Sequence, residues 1–143
     1  MSVFSRDAKE KCGLFGVFGS PDAVQLCYQG LYALQHRGQE SAGIASTDGE
    51  SLQRYADIGL VSDVFDESIL DQLAGMAAIG HVRYSTTGST RRVNAQPLLV
   101  EYARGQVAVA HNGNLINAQL LRDEYEAHGH IFQTSNDTEI ILH

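Results

Sequence analysis

Cysteines are few, basic residues never form a block, and no hydrophobic run is long. Each scarcity closes off a class of function. Cys12 and Cys27 are the only cysteines. They make neither a metal-ligand spacing nor a disulfide framework, and sparse cysteine favours a reducing cytoplasm. Arg91-Arg92 is the sole basic pair in a chain of formal net charge −7. An acidic surface without a basic footprint argues against nucleic acid as a partner. The uncharged stretch from Leu73 to Gly80 is far too short to span a membrane. Residues 1–11 hold Arg6, Asp7, Lys9, Glu10 and Lys11 and lack the apolar core of a secretory signal. No internal repeat, low-complexity segment or linker divides the 143 residues, which suffice for one domain with a core.

What is present begins with Cys12-Gly13-Leu14-Phe15-Gly16-Val17-Phe18-Gly19. A thiol before glycine, heading an apolar strand near the N-terminus, suggests a nucleophile that becomes the first residue after processing. Cleavage of the Lys11–Cys12 bond would free an α-amine beside the thiol. Such an amine titrates near neutral pH and can take the thiol proton. The bland alternative is a structural cysteine at a strand start.

Pattern and turn chemistry predict mostly strands with helices at intervals. Strands are expected over 13–18, 43–46, 52–58 and 76–82, and a hairpin over 98–102 and 106–110 around Ala103-Arg104-Gly105. Asp22 is placed to cap a helix over 23–35, in which Val24, Cys27, Leu31 and Leu34 recur at helical spacing. Cys27 lies on that stripe and reads as core. Asp66 is placed to cap a helix over 68–74, Asn114 one over 115–128, and a last helix is expected to start near Asp137. Residues 85–96 form a long polar loop, a length often tied to function. Short separations between strands favour antiparallel pairing and an α+β class. The chain stops inside an amphipathic pattern at Ile140-Ile141-Leu142-His143, so a fragment of a larger fold is expected.

Four polar clusters sit at strand ends: 35–43, 80–88, His111-Asn112-Gly113-Asn114 and 135–139. Each alone is weak. His-Asn-Gly-Asn is compatible with a plain turn, and Arg83 with a surface ion pair. Together with Cys12 they supply what hydrolysis of an amino-acid amide needs. The thiol attacks the amide carbon, and Asn112 and Gly113 can donate to an oxyanion. The Arg83 fork suits an α-carboxylate. Asp137 suits an α-ammonium.

The motifs Cys12–Gly16, Leu34–Ile44 (Leu-Gln-His-Arg-Gly-Gln-Glu-Ser-Ala-Gly-Ile), Gly80–Thr86 (Gly-His-Val-Arg-Tyr-Ser-Thr), Asn94–Pro97 and Ala110–Leu115 occur in one order. On them the chain resembles the N-terminal glutaminase domain of the amidophosphoribosyltransferase family, class II amidotransferases with an N-terminal nucleophile. Glucosamine-phosphate synthase and asparagine synthetase share the opening Cys-Gly but are less similar at 35–40 and 84–86. The resemblance implies a four-layer α/β/β/α sandwich, incomplete in this chain, with residues 1–11 a propeptide and 12–143 the N-terminal part of the domain. It implies Cys12 as nucleophile with its own freed amine as base, and Asn112 and Gly113 as oxyanion hole. Arg83 and Thr86 would take the α-carboxylate and Asp137 the α-ammonium. Arg37 would order the site and Tyr84 close over glutamine, although both also fit purely architectural roles. His36, His81 and His111 are expected to hydrogen-bond the framework.

The implied reaction of the full-length enzyme runs through a γ-glutamyl thioester. Ammonia then displaces pyrophosphate from phosphoribosyl pyrophosphate, giving phosphoribosylamine in the first step of de novo purine synthesis. The acceptor domain that would bind phosphoribosyl pyrophosphate and Mg²⁺ is missing from this sequence. The propeptide-bearing branch of the family tends to carry an iron–sulfur cluster, with ligands downstream of this segment. No cofactor or metal is expected within it. A cytoplasmic homo-oligomer is implied for the full-length enzyme, with neither nucleic acid nor membrane as partner. The rivals are another class II amidotransferase, or a non-catalytic binding module of the same fold.

Overall fold

The computed structural model describes residues 12–37, 40–84 and 91–143. Its centre is a four-stranded antiparallel sheet in the order β1-β4-β2-β3, made of β1 (Cys12–Phe18), β2 (Ser41–Thr47), β3 (Leu52–Ile58) and β4 (Ala77–Arg83). Side chains alternate across a strand, so the register fixes what each face carries. Ala42, Ile44, Ala78 and Val82 share one face and join a core with Ala23, Val24, Cys27 and Leu31 of helix α1 (Ala23–Leu34). The helix lies close because Gly80 has no side chain: a Cβ there would sit 2.7 Å from both Cys27 Sγ and Leu31. Cys27 is core as its spacing predicts, and burial pushes its thiol up to about 12. The short helices α2 (Val61–Val64) and α3 (Glu67–Gln72) extend this layer, with Val61, Val64 and Phe65 buried.

The opposite face carries the polar chemistry. Its register sets Cys12, Arg83 and Ser41 side by side, and Leu14, His81 and Gly43 in the next row. A second sheet, the hairpin of β5 (Leu98–Tyr102) and β6 (Gly105–Val109), is tied to the same side. Gln106 Oε1 accepts from the Leu52 N–H at 2.7 Å, and the Arg54 guanidinium donates to the carbonyls of Ala95 and Pro97. Helix α4 (Ala118–Ala127) packs on a 3-10 turn, Asp137–Leu142, that contacts both hairpin strands. Among the described residues no helix is long and apolar enough to cross a membrane.

Most elements fall where the pattern puts them, and the differences have local causes. Asp66 caps α3 by accepting from the Ile69 N–H at 2.8 Å. Asp22 holds the cap position of α1 without a side-chain bond, and the carbonyl of Ser20 takes the Ala23 N–H. Helix α4 starts later than the expected 115, because Asn114 lines a cavity and the Leu115 N–H goes to the Asp137 carboxylate at 2.7 Å. The last segment is a 3-10 turn and not an α-helix. Asn136 caps it through the Thr138 N–H. The Glu139 carboxylate turns back to accept from the N–H groups of Gln133 and Thr134 and from the Thr134 hydroxyl.

Candidate active site

Three chain segments converge on the open end of the first sheet. The first is the start of β1. The second is the end of β4, where Arg83 pairs in register with Cys12. The third is the turn 111–114, which follows β6 and reaches back to β1: Asn112 Nδ2 donates to the Cys12 carbonyl at 3.3 Å. Between them lies a cavity of about 360 Å³ lined by Cys12, Arg83, Tyr84, Gly113 and Asp137, with His81, Gln96 and His111 also on its wall. That is room enough for a small polar ligand. A guanidinium and a carboxylate on one small cavity match the two charged ends of a free amino acid. A larger, apolar cavity of about 480 Å³ opens along the inner sheet face near Gly16, Ala45, Ile79 and Val107. It has no titratable side chain on its wall and cannot host this chemistry.

Asp137 is held before any ligand arrives. Its Oδ2 accepts the Leu115 N–H at 2.7 Å, and its Oδ1 lies 3.9 Å from His111 Nδ1. The segment beneath it is fixed by Asn94, which is buried in the loop before β5. The Asn94 amide donates to Ser135 Oγ at 3.0 Å and accepts the Ser135 N–H at 3.1 Å, while its carbonyl takes the Asn136 amide at 3.2 Å. Gln96, also buried, accepts the His111 N–H on its Oε1 at 2.6 Å. Sequence reasoning marks Asn94-Ala95-Gln96-Pro97 only as a motif. That these side chains fasten the 111 and 135 segments is a long-range fact with no local signal. The cluster at 135–139 was the available hint.

Of the expected site residues, Cys12, Arg83, Tyr84, Gly113 and Asp137 meet on the cavity, and Asn112 stands against the Cys12 backbone. Thr86 lies outside the described residues. Arg37 closes the 3-10 turn Gln35–Arg37 after α1, and its side chain is likewise outside them. His36 bonds the framework as expected, its Nδ1 against the Ala33 carbonyl at 2.9 Å. His81 and His111 do not: neither ring nitrogen of His81 and not Nδ1 of His111 has a hydrogen-bond partner, although all are buried. Burial brings the His81 pKa down to about 4, against a smaller opposing effect of the His111 backbone. Among the described residues no three of His, Cys, Asp and Glu converge to hold a metal ion. Cys27 is sealed in the α1 core. The described residues therefore fit neither an iron–sulfur cluster nor a Mg²⁺ cage, and no step below runs through either.

Residues 66–143 match the family described as glutamine amidotransferase domain. The chain belongs to the glutamine amidotransferase domain family. It is 54% identical over 136 residues to amidophosphoribosyltransferase 1, chloroplastic, of Arabidopsis thaliana, a match covering 94% of this chain and 24% of that protein. It is 50% identical over 135 residues to the amidophosphoribosyltransferase of Bacillus subtilis (strain 168), covering 94% of this chain and 28% of the relative. The chain thus spans about a quarter of the length of the curated relatives it matches. Among solved structures, the allosteric regulatory enzyme of purine biosynthesis superposes with a TM-score of 0.88 at 50% identity, over 91% of this chain and 28% of that one. The glutamine phosphoribosylpyrophosphate amidotransferase from B. subtilis complexed with ADP and GMP gives a TM-score of 0.84 at 48% identity, over 90% of this chain and 28% of that one. The expected α+β class and sandwich of the N-terminal-nucleophile type are borne out by these amidotransferase-domain neighbours.

Proposed function

We propose that this domain hydrolyses glutamine to glutamate and ammonia. The observation that carries the proposal is the meeting of Cys12, Arg83, Gly113 and Asp137 on one cavity with Asn112 bonded to the Cys12 backbone. Removal of residues 1–11 frees the α-amine of Cys12. The amine takes the thiol proton, and the sulfur attacks the γ-carboxamide carbon. The carbonyl oxygen becomes an oxyanion facing the Asn112 amide and the Gly113 N–H. The amine returns the proton to the leaving nitrogen, ammonia departs, and a γ-glutamyl thioester remains. Water then adds to the thioester, with the same amine as base, and glutamate leaves as the thiol reforms. Arg83, aided by Thr86, holds the α-carboxylate, and Asp137 the α-ammonium. Tyr84 covers the ligand and Arg37 supports the nucleophile.

The ammonia is passed on within a longer protein and displaces pyrophosphate from phosphoribosyl pyrophosphate, giving phosphoribosylamine. The names of the relatives support this second step. The protein is tested by replacing Cys12 with Ala and measuring glutamate release. Activity should disappear, and retained activity would end the glutaminase proposal. Mass spectrometry of the active protein should find Cys12 as first residue. Full activity with Met1 attached would refute the processing step, because an amide nitrogen at Cys12 is no base.

A further inference from the structure

Only one oxygen of the Asp137 carboxylate is taken up by the fold. Oδ2 accepts the Leu115 N–H at 2.7 Å, whereas Oδ1 faces His111 Nδ1 across 3.9 Å. That gap is too wide for a hydrogen bond between the two. Nδ1 is buried and has no hydrogen-bond partner, an exception that calls for a reason in a native fold. Both side chains line the cavity that also carries Cys12 and Arg83. The ring is held from two sides. The His111 N–H goes to the buried Gln96 side chain at 2.6 Å. Gly113 lies over the Nε2 edge, so close that a Cβ there would stand 2.8 Å from that nitrogen.

We propose that His111 Nδ1 is a second acceptor for the α-ammonium of the substrate, and that with Asp137 Oδ1 it makes the site specific for ligands bearing a free α-amino group. The proposal rests on the glutaminase reading, which puts the α-ammonium at Asp137. An ammonium nitrogen about 2.9 Å from both atoms sees them roughly 85° apart, given the 3.9 Å between them. Its own N–H bonds diverge by about 109°, so each hydrogen bond bends by only about 12° and stays in the favourable range. A neutral imidazole with its proton on Nε2 offers a lone pair at Nδ1. Oδ1 then supplies charge, and Nδ1 supplies direction without a second negative charge. Nδ1 has no partner within the protein, and the ligand's ammonium provides one. A ligand that lacks the amine leaves both acceptors unpaired. A site built to hydrogen-bond a group rejects the analogue without it far more strongly than a site that only matches shape.

The test uses the intact processed protein and a matched pair of inhibitors: glutamate, and glutarate, which is glutamate without its α-amino group. His111→Phe keeps a flat ring beneath Gly113 and removes the acceptor. It should raise the glutamine KM and the glutamate inhibition constant about 10- to 100-fold, the loss of one hydrogen bond to a charged group. The glutarate constant should stay within about threefold. A packing fault would weaken both inhibitors alike. His111→Asn, whose Oδ1 can take the place of Nδ1, should recover part of the loss. The unsubstituted protein gives a second measurement that no variant's folding can obscure. Saturating glutamate should move the His111 Nδ1 nitrogen shift toward that of a hydrogen-bonded acceptor, and saturating glutarate should not. A His111→Phe protein with a glutamine KM within about twofold of the original overturns the role. So does an equal weakening of glutarate, a His111→Asn variant no better than His111→Phe, or a nitrogen shift that glutamate leaves unmoved or glutarate moves as far. Cys12→Ala separates the two proposals: if it still releases glutamate the glutaminase reading has failed, and if it is dead while His111→Phe keeps the full preference for glutamate over glutarate only the ammonium role has.

Discussion

Replacing Gly43 with Ala should damage the site from the sheet row next to Cys12 and Arg83. Gly43 sits mid-strand in β2, and a Cβ there would lie 2.1 Å from the Gln96 carbonyl oxygen and 2.7 Å from the Ala56 Cβ. Both neighbours are attached to backbone, so neither yields by a simple rotamer change. Ordinary contact begins at 3.4 Å, so relief of the clash requires a movement of about 1.3 Å, the difference between 3.4 and 2.1. Overpacking of this kind costs about 1–3 kcal/mol. A shift of that size also carries the Gln96 side chain out of range of the His111 N–H it now meets at 2.6 Å, for about 1 kcal/mol more. The turn 111–114 then loses a fastening, and misplacement by about an ångström lowers kcat by about 100-fold. Denaturant unfolding gives the stability term and coupled glutamate detection the rate. A Gly43→Ala protein with stability within about 0.5 kcal/mol and kcat within about twofold of the original would refute the reasoning.

Other expectations follow from the same geometry. Arg83→Lys keeps a charge on the cavity but loses the planar fork, and should raise the glutamine KM about tenfold, equivalent to roughly 1.4 kcal/mol; an unchanged KM in steady-state assays would make Arg83 structural. Asn112→Ala should reduce kcat by about 10²–10³ with a smaller change in KM, and Asn112→Asp should be as harmful; a kcat within a few-fold of the original in either variant counts against the oxyanion role. His81 should steepen acid unfolding. Its native pKa is near 4 against an ordinary 6.5, so between those values the unfolded chain binds the extra proton and stability falls as the pH falls. The full loss by pH 4 is about 3 kcal/mol. His81→Phe should flatten that limb of the stability–pH curve, and an unaltered limb would show that the ring titrates normally.

The strands were legible because their apolar alternation is local, and so was Cys27 on its helical stripe. The site residues were legible as types at strand ends, and the register of β1 with β4 explains why: Cys12 and Arg83 are paired residues of neighbouring strands. What local pattern does not carry is the fastening between segments. Asn94 meets Ser135 and Asn136 across some forty residues of chain, at separations of 41 and 42, and no propensity records such a bond. The late start of α4 has the same origin, since the Leu115 N–H is drawn to a carboxylate 22 residues on. His81 reads as a framework donor in sequence because the residue type is visible there, whereas the burial that leaves both its ring nitrogens without a partner is not.

Arg83 ends a strand of the four-stranded sheet, whereas Asp137 opens a 3-10 turn resting on the hairpin. If these two grip the α-carboxylate and α-ammonium of the ligand, its head is clamped by two separate layers while its amide must reach a thiol on one of them. The spacing between the layers then works as a gauge of side-chain length. Asparagine, shorter by one methylene, would be measured and refused without any wall to exclude it. Substitutions buried between the sheets, far from every reacting atom, would recalibrate that gauge.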